Sequence, residues 1–541
     1  MSTTQERAAA QKRYSTNKSV MDTIDERFGS SRFLTSVLDK IFPDHWSFMI
    51  GEIAMDSLIV LIATGVYLSL FYVPSSTDVV YAPTSGHVYP PLVGQHMSEA
   101  YQSVINLSFN VRFGLIMRQA HHWAALIFLA AVMFHMCRIF FTGAFRKPRE
   151  INWIIGLTLW MVVMLEGFTG YSLPDDLLSG TGIRVIYSIV QSIPFVGSWV
   201  AYNVWGGRFP GPSFIARLFV IHEFLFPLLI IGLLTAHLMI LWHQKHTDFP
   251  GEGKTETNIR GSRIWPQYAL KAGGLMMLVS GVTFLLAGLF QINPVWLYGP
   301  YNPYTVSAGS QPDWYLGFLD GSVRLWPHWE FRSFGHEIAN PFFPGLLIPG
   351  LVFTIMYAWP WIDKWIYKDY DAHNLLDRPR DKPFRTGIGV AYIIFFVDET
   401  LACATDLLAN NLHIAFERLI EILQYGAFIG PVVGFAFAYK ACQALARTDA
   451  HPIQKPLGGV IIRTAEGAYH TLGDDHHGNG HDSHSNGHAT DTPGGNGVDG
   501  QEAATDGHEG AEAAGASEAA GASEAAETPR ADRATRLGRG R

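Results

Sequence analysis

Eight long apolar segments follow one another along the chain, each bounded by proline, glycine or charged residues. They cover residues 47–73, 114–140, 151–173, 217–243, 268–291, 342–362, 386–408 and 418–440. A helix needs about 20 apolar residues to cross the hydrocarbon core of a bilayer, so each segment is long enough to do so. The pattern therefore predicts an all-α integral membrane protein with eight transmembrane helices.

Lysine and arginine residues concentrate in alternate connections between these segments. They cluster before the first segment and after the second, fourth, sixth and eighth. Because such residues are enriched on the cytoplasmic side of membranes, this bias predicts that both termini are cytoplasmic. The less basic loops then lie outside, around 74–112, 174–216, 292–340 and 409–417.

The composition indicates a membrane-embedded body followed by a polar tail. Only 16% of the residues are charged, whereas soluble proteins have about a quarter. From His470 onward, 13 acids and 5 arginines give a net charge of −8, equal to that of the whole chain. We expect the chain to be disordered from about residue 470. The histidines of this tail either bind a divalent metal or are simply solvated. The three cysteines form no C-x-x-C motif, which excludes a haem attached through C-x-x-C-H.

Four histidines lie inside two of the predicted helices. His121 and His135 are fourteen residues apart in the second, and His222 and His237 are fifteen apart in the fourth. At 3.6 residues per turn, each pair shares one face of its helix, with about 21 Å between its members. Because the two helices run in the same direction, His121 can lie level with His222, and His135 with His237. Two stacked imidazole pairs suit axial ligation of two haem irons; the alternative is four hydrogen-bonded core histidines.

Glycine and arginine residues accompany these histidines. Two pairs of glycines, in the first and third helices, repeat the fourteen-residue spacing: Gly51 with Gly65, and Gly156 with Gly170. A glycine lets a flat macrocycle approach the backbone, although small residues also serve ordinary helix packing. Arg118 and Arg138 flank the two histidines of the second helix, where each could bind haem propionates or extend to the membrane interface.

Together these residues resemble the cytochrome b family of quinol–cytochrome c reductases. The resemblance covers about 46–440 and includes the motifs Gly-Tyr-Ser-Leu-Pro at 170–174 and Pro-Asp-Trp-Tyr at 312–315. It implies that the first four helices form the haem-binding four-helix bundle. The implied domains are a cytoplasmic segment at 1–45, a di-haem N-terminal domain at 46–250, a C-terminal domain at 251–445 and a cytoplasmic tail at 446–541.

The resemblance also implies where quinol is oxidised. Asp313, with Pro312, Trp314 and Tyr315 of the same loop and with Tyr171, would line a quinol site on the outer side of the membrane. The carboxylate of Asp313 would accept a quinol proton. One electron would pass to a docked Rieske iron–sulfur protein, and the other would cross the membrane through two b haems to an inner quinone site.

The chain departs from the family pattern at several positions. Asp175 and Asp176 follow Leu-Pro where the family usually has Trp-Gly, and Asp313 replaces the usual glutamate. Ala272 stands where the mitochondrial type has an inner-site aspartate. For the inner site we expect His243, Lys245 and Asp248, and we expect Glu52 and Asp56 to relay protons. The alternative is that all of them are polar residues that face the membrane interface. Glu166, inside the third helix, is a further candidate for proton release.

The departures and the long tail are similar to actinobacterial members of the family. That resemblance implies menaquinol as substrate, a bacterial plasma-membrane location, a homodimer surrounded by lipid, and no nucleic-acid partner. It further implies a Rieske protein, a di-haem cytochrome c subunit and a supercomplex with cytochrome c oxidase. Two alternatives are a di-haem anchor of a formate dehydrogenase or hydrogenase, and a haem-free transporter or channel with structural histidines.

Overall fold

The computed structural model describes residues 37–258, 260–305, 311–333 and 335–450, strand residues 460–463 and 469–472, and a few positions before residue 37. Within this part, eight helices are long and apolar enough to cross a membrane, which confirms the predicted membrane fold. These spans are Trp46–Ser69, Gly114–Phe141, Glu150–Ser172, Phe214–Gln244, Ile264–Leu289, Phe343–Tyr367, Pro383–Cys403 and Phe416–Arg447.

The chain divides into two compact units, Met1–Gln454 and Lys455–Arg541. In the second unit, Val460–Arg463 pairs antiparallel with Tyr469–Leu472. Disorder is predicted from about residue 470. Beyond Leu472, this part of the chain lies outside the described residues. In the first unit an even number of spans places the segments before the first and after the eighth at one face of the bundle. We call this the termini face, and the opposite one the loop face.

Most of the additional secondary structure lies at the loop face. Its helices are Glu99–Asn110, Leu177–Gln191, Gly197–Trp205, Val295–Tyr298, Gly317–Leu325 and Thr405–Leu412, with 3-10 turns at Pro90–Leu92 and Trp314–Leu316. Its antiparallel strand pairs are Asp78–Val80 with His96–Ser98, and Phe331–Ser333 with His336–Ile338. At the termini face, Ile41–Phe42 pairs with Ser262–Arg263, and Pro379–Asp381 forms a 3-10 turn. Ser98 begins the helix Glu99–Asn110 by accepting a hydrogen bond from the Tyr101 N–H at 3.2 Å.

Two spans end at positions that hydrophobicity alone misplaces. The seventh ends at Cys403 rather than 408, because Asp406 lies in the next short helix, 3.3 Å from the Arg324 guanidinium. The eighth continues to Ala450 instead of ending at 440. Its last turns are rich in alanine, lysine, glutamine and arginine, which favour helix even where no membrane surrounds them.

The fourth span contains a π-turn at Ile221–Leu225, between Phe214–Val220 and Phe226–Gln244. A π-turn adds one residue to a helix without changing the face that its two ends present. His222 lies in this turn, so the fifteen-residue spacing to His237 positions the two side chains as fourteen residues would in a regular helix. The π-turn thus accounts for the fifteenth residue between these two histidines.

The first four spans pack around a shared core. The first span lies along the second, and the third along the fourth. Leu129 of the second span and Leu157, Trp160 and Val163 of the third are buried between them. Elsewhere the spans expose large apolar side chains, as lipid-facing surfaces do.

A buried charge cluster joins the sixth and seventh spans to connections at the termini face. The Arg385 side chain is fully buried and donates from Nε and Nη2 to both carboxylate oxygens of Asp363, at 2.8 and 2.7 Å. Its Nη1 donates to Asp377 Oδ2 at 2.7 Å, and Asp377 also contacts Arg146 at 3.2 Å. Since every charge has an opposite partner, the cluster offsets the cost of removing these groups from water.

Replacing Arg385 by alanine should lower the free energy of unfolding by about 3–5 kcal/mol, because the Asp363 carboxylate would stay buried without a partner and Asp377 would keep only Arg146. Thermal and denaturant unfolding of the detergent-solubilised protein measures this change. Arg418→Ala is the matched control, since Arg418 and Glu421 form an exposed pair that contributes about 1 kcal/mol or less. Equal losses from the two variants would contradict the account.

Candidate functional site

His121 and His222 face each other across the interface between the second and fourth spans. Their ring centroids are 6.3 Å apart and their planes are inclined by 74°. Two imidazoles that bind one metal ion through facing nitrogens, at about 2 Å each, have centroids about 6 Å apart. The pair near the loop face therefore leaves room for a single metal between its rings.

Neighbouring threonines orient both imidazoles. Thr64 Oγ1 donates to the Val60 carbonyl at 2.7 Å and lies 2.9 Å from His121 Nδ1. Because the hydroxyl proton is already used, the oxygen can accept a bond from Nδ1–H. Thr169 Oγ1 has the same arrangement, donating to the Glu166 carbonyl and lying 3.1 Å from His222 Nδ1. Each Nε2 is then left as a basic nitrogen that can bind a metal.

His135 and His237 form the second level, nearer the termini face. Their Nδ1 atoms are buried and have no hydrogen-bond partner among the described residues. This differs from the first level, where threonines contact Nδ1. The alternative of four hydrogen-bonded core histidines does not fit this pair, because its buried nitrogens lack the bonds that such histidines would make.

The four glycines lie directly against the four histidine rings. A Cβ added at Gly65 or Gly51 would lie 3.3 Å from His121 Cε1 or 3.2 Å from His135 Nδ1. Likewise, a Cβ would lie 3.4 Å from His237 Cε1 at Gly156 and 2.5 Å from His222 Cε1 at Gly170. The repeated glycine spacing thus corresponds to the repeated histidine spacing, and the space that each glycine leaves is taken by an imidazole.

A cavity opens beside the first level at the loop face. Its lining includes His121, His222, Tyr171, Asp313 and Tyr315. The structure thus brings the predicted loop acid beside one predicted histidine pair. Trp314 packs against the same apolar core, next to Tyr315, and Pro312 precedes Asp313 in the loop.

Asp313 is held by two side chains. His122 Nε2 lies 3.0 Å from both Asp313 carboxylate oxygens, and the Tyr315 hydroxyl donates to Asp313 Oδ2 at 3.2 Å. Tyr315 in turn fits against Gly167, where a Cβ would come within 2.5 Å of its hydroxyl. The sequence analysis did not identify His122, although it follows His121 directly and its side chain points to the loop.

Two further acids contribute to this cavity. Glu166 Oε1 lies 3.2 Å from His222 Nδ1, while its other oxygen is buried without a partner among the described residues. Asp176 also lines the cavity and is 3% exposed. Burial raises the pKa of Asp176 to about 6, against hydrogen bonds from Ser179 that lower it. The sequence analysis noted Asp176 only as a departure from the family pattern.

The residues suggested for the inner site at the termini face do not form one cluster. The side chains of His243 and Lys245 are exposed, and Asp248 is buried and paired with Lys254 at 2.7 Å. Glu52 and Asp56 each have a buried carboxylate oxygen without a partner among the described residues. A half-buried histidine that was not predicted, His246, packs against Phe42. Burial and nearby Arg138, Lys40 and Arg149 lower its pKa to about 4.

Comparison with known proteins identifies the family. Residues 126–300 match the family model described as Cytochrome b(N-terminal)/b6/petB. The chain is 47% identical to the "Cytochrome bc1 complex cytochrome b subunit" of Mycobacterium tuberculosis over 83% of this chain and 81% of that protein. It is 45% identical to the protein of the same name from Streptomyces coelicolor, over 83% and 82% of the two chains. The chain belongs to the cytochrome b family of cytochrome bc1 complexes.

A solved structure shares the fold. A chain of "Hyperthermophilic respiratory Complex III" superposes with a TM-score of 0.58, covering 77% of this chain and 99% of that one at 21% identity. Family membership means that this protein is a multi-pass membrane subunit of a respiratory complex that binds haem.

The residues present fit haem groups at both histidine levels. Besides the facing imidazoles, Arg118 and Arg138 each have buried Nε and Nη2 atoms without a partner among the described residues. Arg118 donates only from Nη1, to the Asn293 carbonyl at 3.1 Å, and Arg138 lies over the Phe48 ring. A buried guanidinium with free donors needs an anion, and a haem propionate would supply one at each level.

Gly170→Ala should disturb haem binding, because its Cβ would displace the His222 ring from its position. The expected result is a weaker reduced-minus-oxidised haem absorbance in the purified protein. Two controls are Gly156→Ala, whose Cβ would make an ordinary 3.4 Å contact, and Gly232→Ala, with no atom within 4 Å. A full spectrum from Gly170→Ala would show that His222 does not need the space beside Gly170.

Proposed function

We propose that this chain is the di-haem subunit of a proton-translocating quinol–cytochrome c reductase. It oxidises quinol in the loop-face cavity and reduces quinone near the termini face. The observation that carries the proposal is the stacking of two histidine pairs between the second and fourth spans, with a polar cavity beside one of them. Two b haems bound there would supply one-electron carriers on the two sides of the bilayer, about 21 Å apart along the helices.

The ligand residues act in two pairs. His121 and His222 would hold a haem near the loop face, and His135 and His237 would hold a second haem near the termini face. Threonines keep the Nε2 atoms of the first pair available as ligands. Arg118 and Arg138, at the two levels, would bind haem propionates and compensate their charge.

Asp313 is the proton acceptor for the quinol hydroxyl. Its carboxylate borders the cavity with a side chain that is 12% exposed, so a bound quinol can reach it while bulk water is largely excluded. His122 and Tyr315 hold this carboxylate in place, and Trp314, Pro312 and Tyr171 form the surrounding wall. A positioned base of this kind contributes on the order of 100-fold or more to a rate.

The loop face lies outside the bacterial plasma membrane and both termini are cytoplasmic. The basic connections at the termini face support this orientation. Quinol oxidation then releases protons outside, and quinone reduction takes them up at the cytoplasmic side, near His243, Glu52 and Asp56. On this view 46–250 is the di-haem domain, and 251–445 supplies the Pro-Asp-Trp-Tyr loop.

The partners follow from the family and from actinobacterial relatives. A Rieske iron–sulfur protein docks at the loop face to take the first electron, and a di-haem cytochrome c subunit receives it. The chain forms a homodimer in lipid and associates with a cytochrome c oxidase, and its quinol is menaquinol. A di-haem anchor would leave the Asp313 loop and the later spans unexplained, and a haem-free transporter would leave the paired histidines unexplained.

Asp313→Asn should lower kcat for quinol oxidation by the intact complex on the order of 100-fold, because an amide cannot accept the proton. Asparagine has nearly the same shape, so the haem spectrum should remain unchanged. Asp313→Glu should retain most of the activity. Measurement uses a water-soluble menaquinol analogue and cytochrome c reduction by the purified complex. Unimpaired oxidation by Asp313→Asn would refute this role for Asp313.

A further inference from the structure

Two adjacent aspartates line two different cavities at the loop face. Asp176 lines the cavity that also contains Asp313, His121 and His222. Asp175 lines a second cavity, whose polar lining residues include Asp78, His96, Ser98 and Tyr301. These two residues, adjacent in the chain, therefore border different cavities.

Asp176 is built into this wall. Its Oδ1 accepts hydrogen bonds from Ser179 N at 3.2 Å and Ser179 Oγ at 2.5 Å, which begin the helix Leu177–Gln191. The Asp176 backbone also forms an isolated antiparallel β-bridge with Pro300. Both side-chain bonds end on Oδ1, so Oδ2 is left for the cavity.

Asp175 is held in an unusual backbone conformation. Its φ is +53°, in the left-handed region that residues other than glycine and asparagine or aspartate seldom adopt. Its carbonyl accepts a hydrogen bond from Tyr301 N at 3.0 Å. This conformation turns the chain sharply, so that successive side chains enter the two cavities.

The second cavity is continuous with the loop-face surface. Tyr304, in its lining, is 94% exposed. Two of its lining side chains, His96 and Asp78, lie 2.7 Å apart and are 70% and 67% exposed. Water therefore reaches this cavity from outside, whereas Asp176 itself is 3% exposed.

We propose that Asp176 and Asp175 carry protons from the quinol cavity to the loop-face surface. The proposal rests on the proposed function and adds the exit route that it needs. A proton that leaves quinol for Asp313 passes to the Asp176 carboxylate, where an O–H bond forms and the Asp313 carboxylate is regenerated. Asp176 passes the proton to Asp175, and Asp175 releases it to water in the second cavity, which restores both carboxylates.

Tyr171 lines the quinol cavity together with Asp313 and Asp176. Tyr298 lines the second cavity together with Asp175. The Tyr171 hydroxyl is buried and has no hydrogen-bond partner among the described residues. An unpartnered hydroxyl here can donate to one acid while it accepts from the other, as proton transfer requires.

The surroundings suit groups that exchange protons near neutrality. Burial, opposed by a hydrogen bond from Ser98 and assisted by the charge of Asp176, raises the pKa of Asp175 to about 7. For Asp176, the positive charge of Arg118 opposes the effect of burial. The other titratable groups that interact with the two acids are tyrosines: Tyr72, Tyr101, Tyr171, Tyr298 and Tyr301.

Asparagine variants of the intact complex test the route. Asparagine keeps the helix cap at 176 and tolerates the left-handed backbone at 175, but it cannot carry a proton. We expect Asp176→Asn and Asp175→Asn each to lower kcat for menaquinol-analogue oxidation at least tenfold, with KM and haem spectrum unchanged. Because the two acids act in series, the double variant should be no slower than the slower single variant. Asp176→Glu should recover part of the rate.

Asp320→Asn is the matched control, since Asp320 is another largely buried loop-face acid but pairs with Arg324 and should retain activity. A raised KM with unchanged kcat in Asp176→Asn would overturn the route and leave Asp176 as a cavity-shaping residue. Full activity of both asparagine variants, with loss in Asp313→Asn, would overturn the route and leave the proposed function intact. Full activity of all three would overturn both.

Discussion

The contact between histidine rings and glycine backbones determines how the first four spans can pack. Helices in lipid gain no hydrophobic free energy from associating, so close approach and polar contacts decide their arrangement. Here each glycine admits an imidazole from a neighbouring span at a distance that a methyl group would occupy. These contacts set the two levels at which the helices meet. The loop-face cavity lies beside the level that is nearer the end of the bundle.

Buried charge is handled in two opposite ways in this molecule. Around Arg385, each guanidinium and each carboxylate of the cluster has a partner of opposite charge. Around the histidine pairs, by contrast, Arg118, Arg138, Glu166 and Tyr171 leave buried polar atoms without partners among the described residues. Unsatisfied buried groups cost free energy, so their presence beside both histidine pairs is what sites that receive ligands and protons would require.

Local patterns in the sequence predict the eight spans, the histidine pairs and their glycines, because helical periodicity reports which residues share a face. Periodicity does not reveal the π-turn at His222, since a spacing of fifteen also fits a regular helix closely. It also misses His122 and Asp176, whose importance depends on a loop from residues 311–315 returning to the second span. Hydrophobicity alone predicts that the seventh span continues past Cys403. It does not show that Asp406 belongs to the next short helix, where it pairs with Arg324.

The most direct test of the account is the haem content of the purified chain within its complex, by pyridine haemochrome assay and redox titration. The account predicts two b-type haems per chain that titrate at separate potentials, with one lost in His121→Ala and the other in His135→Ala. A single haem per chain, or two that survive replacement of these histidines, would contradict it.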